Sequence, residues 1–157
     1  MEHDIRIRPC ALIFRGESIL LVEYNDENGP YYNLPGGGLE YHETIKEAVK
    51  RELLEEASVE IEVGPIAYVY EYQPHKDRGA YGGKRTVINI IFDCDIREGA
   101  EPVMPMDHDH NQTGVKWINL EELDRITLFP NIKEQIKQYY VERLNTTLIE
   151  DWTLPLG

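Results

Sequence analysis

Basic residues are scarce in this chain. Lys and Arg number 16 against 29 Asp and Glu, a formal net charge of −13. A sequence-independent nucleic-acid binder needs a basic face to displace counterions from phosphates, so nucleic acid is not an expected partner. Cysteine is scarcer still: Cys10 and Cys94 are the two, both inside apolar, strand-like runs. Two buried, reduced thiols are expected, ahead of a disulfide or a metal site. No stretch of eighteen apolar residues occurs, so neither a transmembrane helix nor a membrane partner is expected. The opening residues, MEHDIRIRPC, carry charges where a secretory leader has its apolar core, so no targeting peptide is expected. Together these absences fit a cytoplasmic protein.

The material for a core is present. A length of 157 residues, 41% hydrophobic and 29% charged, fits one globular domain with a buried interior. Ile5–Phe14 and Ser18–Tyr24 read as a hairpin of strands around the turn Arg15-Gly16-Glu17. Asn25–Pro30 reads as a loop and Tyr31–Leu34 as a short strand, after which Pro35-Gly36-Gly37-Gly38 breaks regular structure. A helix begins at Thr44, which has capping-box spacing to Glu47, and ends near Ala57 or Ser58. Its apolar stripe is Ile45, Ala48, Val49 and Leu53. Val59–Val63 and Ile66–Tyr72 read as two strands split by Gly64-Pro65. Arg85–Ile96 is the longest strand signal, apolar on nearly every inner residue, as in a strand covered on both faces. Arg97–Gly114 reads as a long loop, a length that in a folded domain usually marks function or disorder. Val115–Ile118 is a short strand, Leu120–Leu123 a helical turn, and about 131–144 a second helix with Asn131 as its N-cap. The tail shows no clear period. Strands mixed with two principal helices point to an α/β or α+β sandwich.

The densest chemistry lies between Gly37 and Val59, reading GGLEYHETIKEAVKRELLEEASV. Residues at i, i+3 and i+4 share a helix face, so Glu52, Glu55 and Glu56 project together. Like charges at that spacing destabilise a helix, and a bound cation removes the conflict. Hard divalent ions such as Mg²⁺ take oxygen ligands and are held by a few carboxylates plus substrate phosphates. The helix therefore points to a metal site, and the metal to phosphate chemistry. A solvated acidic face is the alternative.

The pattern Gly37-x5-Glu43-x7-Arg51-Glu52-Leu53-x-Glu55-Glu56-x-Ser58-Val59 resembles the signature of the Nudix hydrolases, Gly-x5-Glu-x7-Arg-Glu-U-x-Glu-Glu-x-Gly-U, with U a bulky aliphatic residue. Only Ser58 departs from it, standing where the family has Gly. The resemblance implies a Nudix-type α/β/α sandwich with a mixed β-sheet between helices, one domain over residues 1–157 with its signature at 37–59. It implies metal-dependent hydrolysis of the pyrophosphate bond of a nucleoside diphosphate linked to another group. ADP-ribose, nucleotide sugars and NTPs are the substrate types, and Mg²⁺ or Mn²⁺ the cofactor. By matching position, Glu52, Glu55 and Glu56 are the catalytic, metal-binding glutamates. A carbonyl near Gly36 reaches the metal, and Glu43 pairs with Arg51 to brace the loop that contains Gly37. Ser58 should cost on the order of 1 kcal/mol if it keeps the left-handed geometry of the family Gly, a stability effect and not a loss of activity. His42 is a second oddity, lying where many members have Gly. A non-catalytic nucleotide-binding sensor of the same fold remains the alternative, and a homodimer stays open.

The signature builds a diphosphate site and leaves the rest of the substrate to the loops. The loop at 97–114 offers Asp107 and Asp109 within an Asp-His-Asp-His run, which otherwise reads as solvated loop. Near the loop at 73–84, Lys76, Arg78, Lys84 and Arg85 cluster in an otherwise acidic chain; Arg78 and Arg85 are candidates to grip a terminal phosphate. Tyr68, Tyr70 and Tyr72 alternate along one strand and so share a face, as a core or interface stripe or as a platform for a nucleobase.

Overall fold

The computed structural model describes residues 4–77, 83–144 and 146–156. In chain order the strands are β1 (Ile5–Leu12), β2 (Phe14–Arg15), β3 (Ser18–Asp26), β4 (Gly29–Asn33), β5 (Ile61–Tyr72), β6 (Thr86–Ile96), β7 (Gln112–Asn119) and β8 (Thr147–Glu150). The helices are α1 (Ile45–Ala57), between β4 and β5, and α2 (Lys133–Glu142), between β7 and β8. Alternate residues of β1 bury on opposite sides: Cys10 and Leu12 enter one apolar cluster, while Ala11 and the following Ile13 enter another. Successive strand residues point to opposite faces, so a strand apolar at both parities must be covered twice. The same division appears in β3, with Ile19 and Leu21 against Leu20, and in β6, with Ile91 against Phe92. Helix α1 covers one side through Val49, Leu53 and Ala57; α2 covers the other through Ile136 and Tyr139. Leu53 is fully buried, and its truncation to Ala would cost about 2–5 kcal/mol.

One sheet runs in the order β1-β6-β5-β8 and is mixed: β6 is parallel to β1 and antiparallel to β5, and β8 is parallel to β5. The second sheet is built on β3, which pairs antiparallel with β2, β4 and β7. A bridge between Cys10 and Gly36 joins the glycine loop to β1. The expected α/β architecture, with a mixed sheet between helices, is the one observed. Among the described residues no helix is long and apolar enough to cross a membrane.

Several local expectations are corrected. Gly64-Pro65 does not split two strands; β5 is continuous, and its register against β6 slips between Val63 and Ile66 and again before Tyr68. Glycine sits at such an irregularity because a Cβ on Gly64 would lie 2.5 Å from the Asp93 carbonyl oxygen. Helix α2 starts at Lys133, and Asn131 is not its cap; Ile132 takes that place without a side-chain cap bond, because its side chain is buried in the core. The helix ends before Leu144 because Arg143 turns left-handed, at φ 51°, and bonds Asp93. The tail, which shows no period, supplies β8 as an edge strand. The expected core stripe of Tyr68, Tyr70 and Tyr72 is present in one buried cluster, and Tyr70 and Tyr72 also reach the cleft.

Candidate active site

Helix α1 is fixed at both ends before it presents its carboxylates. The Thr44 hydroxyl accepts from the Glu47 N–H at 3.1 Å, and the Glu47 carboxylate accepts from the Thr44 N–H at 3.3 Å, closing the expected capping box. At the far end Ser58 sits at φ 57°, ψ 31°, the left-handed geometry that glycine adopts most cheaply. His42 is also left-handed, at φ 63°. Ser58, where the signature has Gly, and His42, an unspecified position of it, thus both carry the backbone that glycine would relieve.

Arg51 organises the carboxylates. Its guanidinium donates to both oxygens of Glu43 at 2.8 and 3.0 Å, to Glu52 at 2.8 Å, to Glu55 at 3.2 Å and to the Gly38 carbonyl at 3.1 Å. The bidentate pair holds the Glu43 carboxyl below its ordinary pKa and raises that of Arg51. The pairing of Glu43 with Arg51 is thus present, and Arg51 also ties to the glycine loop at Gly38.

The glycine loop must be glycine for steric reasons. A Cβ on Gly37 would lie 2.3 Å from Glu52 Oε1, and one on Gly36 would lie 2.4 Å from the Pro9 carbonyl oxygen. Bare backbone here lets the Glu52 carboxylate lie against the loop and lets the loop pair with β1. The Gly36 N–H donates to Glu56 Oε1 at 2.7 Å, and the Tyr24 hydroxyl donates to Oε2 at 2.9 Å. Burial pushes the Glu56 carboxyl up to about 7, against the downward pull of Arg8, the Gly36 N–H and Tyr24; Glu52 adds to the rise. Burial likewise raises Glu52, opposed by Arg51.

These groups open into one cleft of about 880 Å³. Glu52, Glu55, Glu56 and Gly36 to Gly38 form one wall; Asp107 and Asp109 reach it from the loop before β7. Arg6 and Arg8 of β1, Asn89 of β6, and Tyr70 and Tyr72 of β5 line the sheet side. Tyr24, Tyr31 and Phe129 add aromatic edges; Tyr24 and Tyr31 stack at 5.4 Å. Among the described residues the lining therefore carries five carboxylates (Glu52, Glu55, Glu56, Asp107, Asp109) against two guanidiniums (Arg6, Arg8). A diphosphate would meet net repulsion there unless cations accompany it.

The donor set fits a hard divalent cation. Desolvated carboxylates with raised pKa values lie near one another, and a cation would stabilise their ionised forms. Among the described residues no three acidic, imidazole or thiol groups close on one point as a complete cage. A divalent cation bound there would need waters or substrate phosphate oxygens to complete its shell. The Gly36 carbonyl accepts from Arg8 Nη2 at 3.1 Å and retains a second lone pair.

The structure thus gathers Glu52, Glu55, Glu56, Gly36, Gly37, Asp107 and Asp109 at the cleft, with Glu43 and Arg51 behind it. Arg85 lies outside the cleft and pairs with Asp4. Arg78 lies outside the described residues. Sequence reasoning missed Arg6, Arg8, Tyr24 and Asn89. For Arg6, Arg8 and Asn89 the signal was a polar residue beside apolar strand neighbours, two arginines alternating with Ile5 and Ile7 and one Asn inside TVINIIF; Tyr24, between Glu23 and Asn25, carries no such signal.

A mixed sandwich with a carboxylate helix, a glycine loop and an Arg-braced acidic cleft defines the Nudix class of α/β folds. The NUDIX domain family profile matches residues 5–140, and the chain belongs to that family. It is similar to an ADP-ribose pyrophosphatase of Methanocaldococcus jannaschii, 34% identical over 92 residues, covering 57% of this chain and 50% of that protein. It is also similar to the NAD-capped RNA hydrolase NudC of Pectobacterium carotovorum, 40% identical over 58 residues; this stretch is 36% of the chain and 22% of that protein's length. A solved NUDIX hydrolase from Nitrosomonas europaea shares the fold at TM-score 0.71 and 20% identity, covering 90% of this chain and 93% of its own.

Proposed function

We propose that this protein hydrolyses the pyrophosphate bond of an adenosine diphosphate joined to a second group, ADP-ribose being the model substrate. The observation that carries the reading is the cleft wall itself. Glu52 and Glu56 are desolvated, fixed by named donors, and set beside a glycine loop close enough to be touched by their carboxylates. Two relatives bear on the substrate, because ADP-ribose and an NAD cap both contain adenosine diphosphate.

Glu52, Glu55 and Glu56 would hold Mg²⁺, which supplies charge neutralisation for the diphosphate and a lowered pKa for a bound water. Arg51 fixes the Glu52 and Glu55 carboxylates before substrate arrives, so their ordering is complete at the moment of reaction. The Gly36 N–H and the Tyr24 hydroxyl do the same for Glu56. Arg8 adds positive field at the loop through its bond to the Gly36 carbonyl. A water oxygen bonds to one phosphorus, the bond from that phosphorus to the bridging oxygen breaks, and the bridging oxygen leaves on the other phosphate. The products are AMP and ribose 5-phosphate, and the net proton is released to solvent or to a cleft carboxylate.

The test is a panel of ADP-ribose, nucleotide sugars, dinucleoside polyphosphates and NTPs, each with Mg²⁺ and with Mn²⁺. Metal-dependent AMP release from ADP-ribose is expected. Tight binding of one compound with no turnover of any would replace this reading with that of a nucleotide sensor.

A further inference from the structure

Asn89 is the one polar side chain of the cleft left without a partner among the described buried atoms. It is 3% exposed, it lines the cleft, and its Oδ1 accepts no hydrogen bond. Buried polar atoms are nearly always paired, and an exception calls for a reason. The adjacent donors are committed elsewhere. Arg8, directly across on β1, donates to Cys10 Sγ and to the Leu34 and Gly36 carbonyls. Tyr70, across on β5, gives its hydroxyl to Asp151. An Asn in the middle of TVINIIF also runs against strand preference, and Leu or Val would pack there without an orphaned oxygen.

Its position relative to the glutamates matters. Gly36, whose N–H holds Glu56, bridges to Cys10 of β1, and Cys10 pairs with Ile91 of β6, so Asn89 lies two strand spacings across and two residues along from Gly36, roughly 12 Å. A nucleotide whose diphosphate lies at Glu52 and Glu56 can therefore place its base, a ribose away, over Asn89. We propose that Asn89 is a specificity-determining residue, its Oδ1 accepting from the exocyclic amine of the adenine base. This deepens, and rests on, the ADP-linked substrate reading. An Asn amide pairs well with an adenine edge, because acceptor and donor sit side by side. A buried acceptor also penalises a base that lacks the matching N–H, since the oxygen then stays orphaned.

The experiment compares ADP-ribose with inosine diphosphate ribose, in which a carbonyl oxygen replaces the amine. Wild type should favour the adenine compound in kcat/KM by roughly tenfold, the scale of one lost bond to a buried group. Asn89→Leu should bring that ratio close to one, and Asn89→Asp, which keeps an acceptor, should preserve it. Thermal unfolding separates ligand recognition from a structural role: Asn89→Leu should melt at or above wild type, because no protein bond is lost. A wild type that does not distinguish the two bases overturns the inference, as does an Asn89→Leu variant that still does. Calorimetry with AMP and IMP keeps the two readings distinguishable. Were wild type to hydrolyse neither diphosphate, the proposed activity would fail, yet AMP bound more tightly than IMP, with Asn89→Leu removing the difference, would uphold the role of Asn89. Equal affinities would overturn it.

Discussion

Replacing Glu56 with Gln tests the electrostatics of the site through stability as well as activity. In the metal-free fold burial raises the Glu56 carboxyl from 4.5 to about 7. The folded state therefore retains a proton that the unfolded state has lost between those values. Stability contributed by that proton is full at low pH and falls as pH rises through the window, the reverse of a salt-bridged carboxylate. At about 1.4 kcal/mol per pKa unit, ionised Glu56 costs the metal-free protein about 3 kcal/mol at pH 8 and under about 1 kcal/mol at pH 5. Gln does not ionise, and its Oε1 still accepts from the Gly36 N–H. Metal-free Glu56→Gln should thus be more stable than wild type by about 3 kcal/mol at pH 8, a rise of roughly 10 °C in Tm for a chain of this size. The gap should nearly close at pH 5. The assay is urea or thermal unfolding with EDTA at both pH values, repeated with excess Mg²⁺. Wild type should gain stability from Mg²⁺ at pH 8 and the variant much less, while AMP release by the variant falls by at least about a thousandfold. A metal-free variant less stable than wild type at pH 8, or a gap independent of pH, would refute the reasoning.

Three further outcomes follow from the same geometry. Gly37→Ala should lower Tm, because the new Cβ pushes the Glu52 carboxylate off its bond to Arg51, and should cost roughly a hundredfold or more in kcat/KM as that carboxylate is displaced; an unchanged kcat/KM contradicts it. Ser58→Gly should raise stability by about 1 kcal/mol by relieving the left-handed residue, with kcat/KM unchanged; a destabilised variant would contradict it. Asp107→Asn combined with Asp109→Asn removes two of the five cleft carboxylates, which should lower KM for an anionic substrate or weaken Mg²⁺ binding; steady-state kinetics across a Mg²⁺ series reads which, and no change in either contradicts their place in the cleft.

What was legible in the sequence was mostly local. Helix α1 announces itself through Thr44, Glu47 and the apolar stripe, and its glutamates through i, i+3 and i+4 spacing, all within two dozen residues. The Glu43 to Arg51 brace is likewise a contact across eight positions. Arg8, Asn89 and Tyr70 become neighbours only because β1, β6 and β5 pair in one register, across tens of residues that no local pattern spans. The bulge at Gly64 depends on how closely Asp93 approaches, and the start of α2 on burying Ile132, so packing overrode the turn and cap signals there. The aromatic and polar walls of the cleft are tertiary in the same sense. This is why the proposed diphosphate site was readable from the chain and the proposed base contact was not.

The most direct test of the central claim is AMP release from ADP-ribose as Mg²⁺ is titrated into EDTA-stripped wild type. The account predicts no turnover without metal and saturable turnover with it, because five cleft carboxylates otherwise repel the diphosphate. Hydrolysis at full rate in EDTA, or none at any Mg²⁺ concentration, would contradict it.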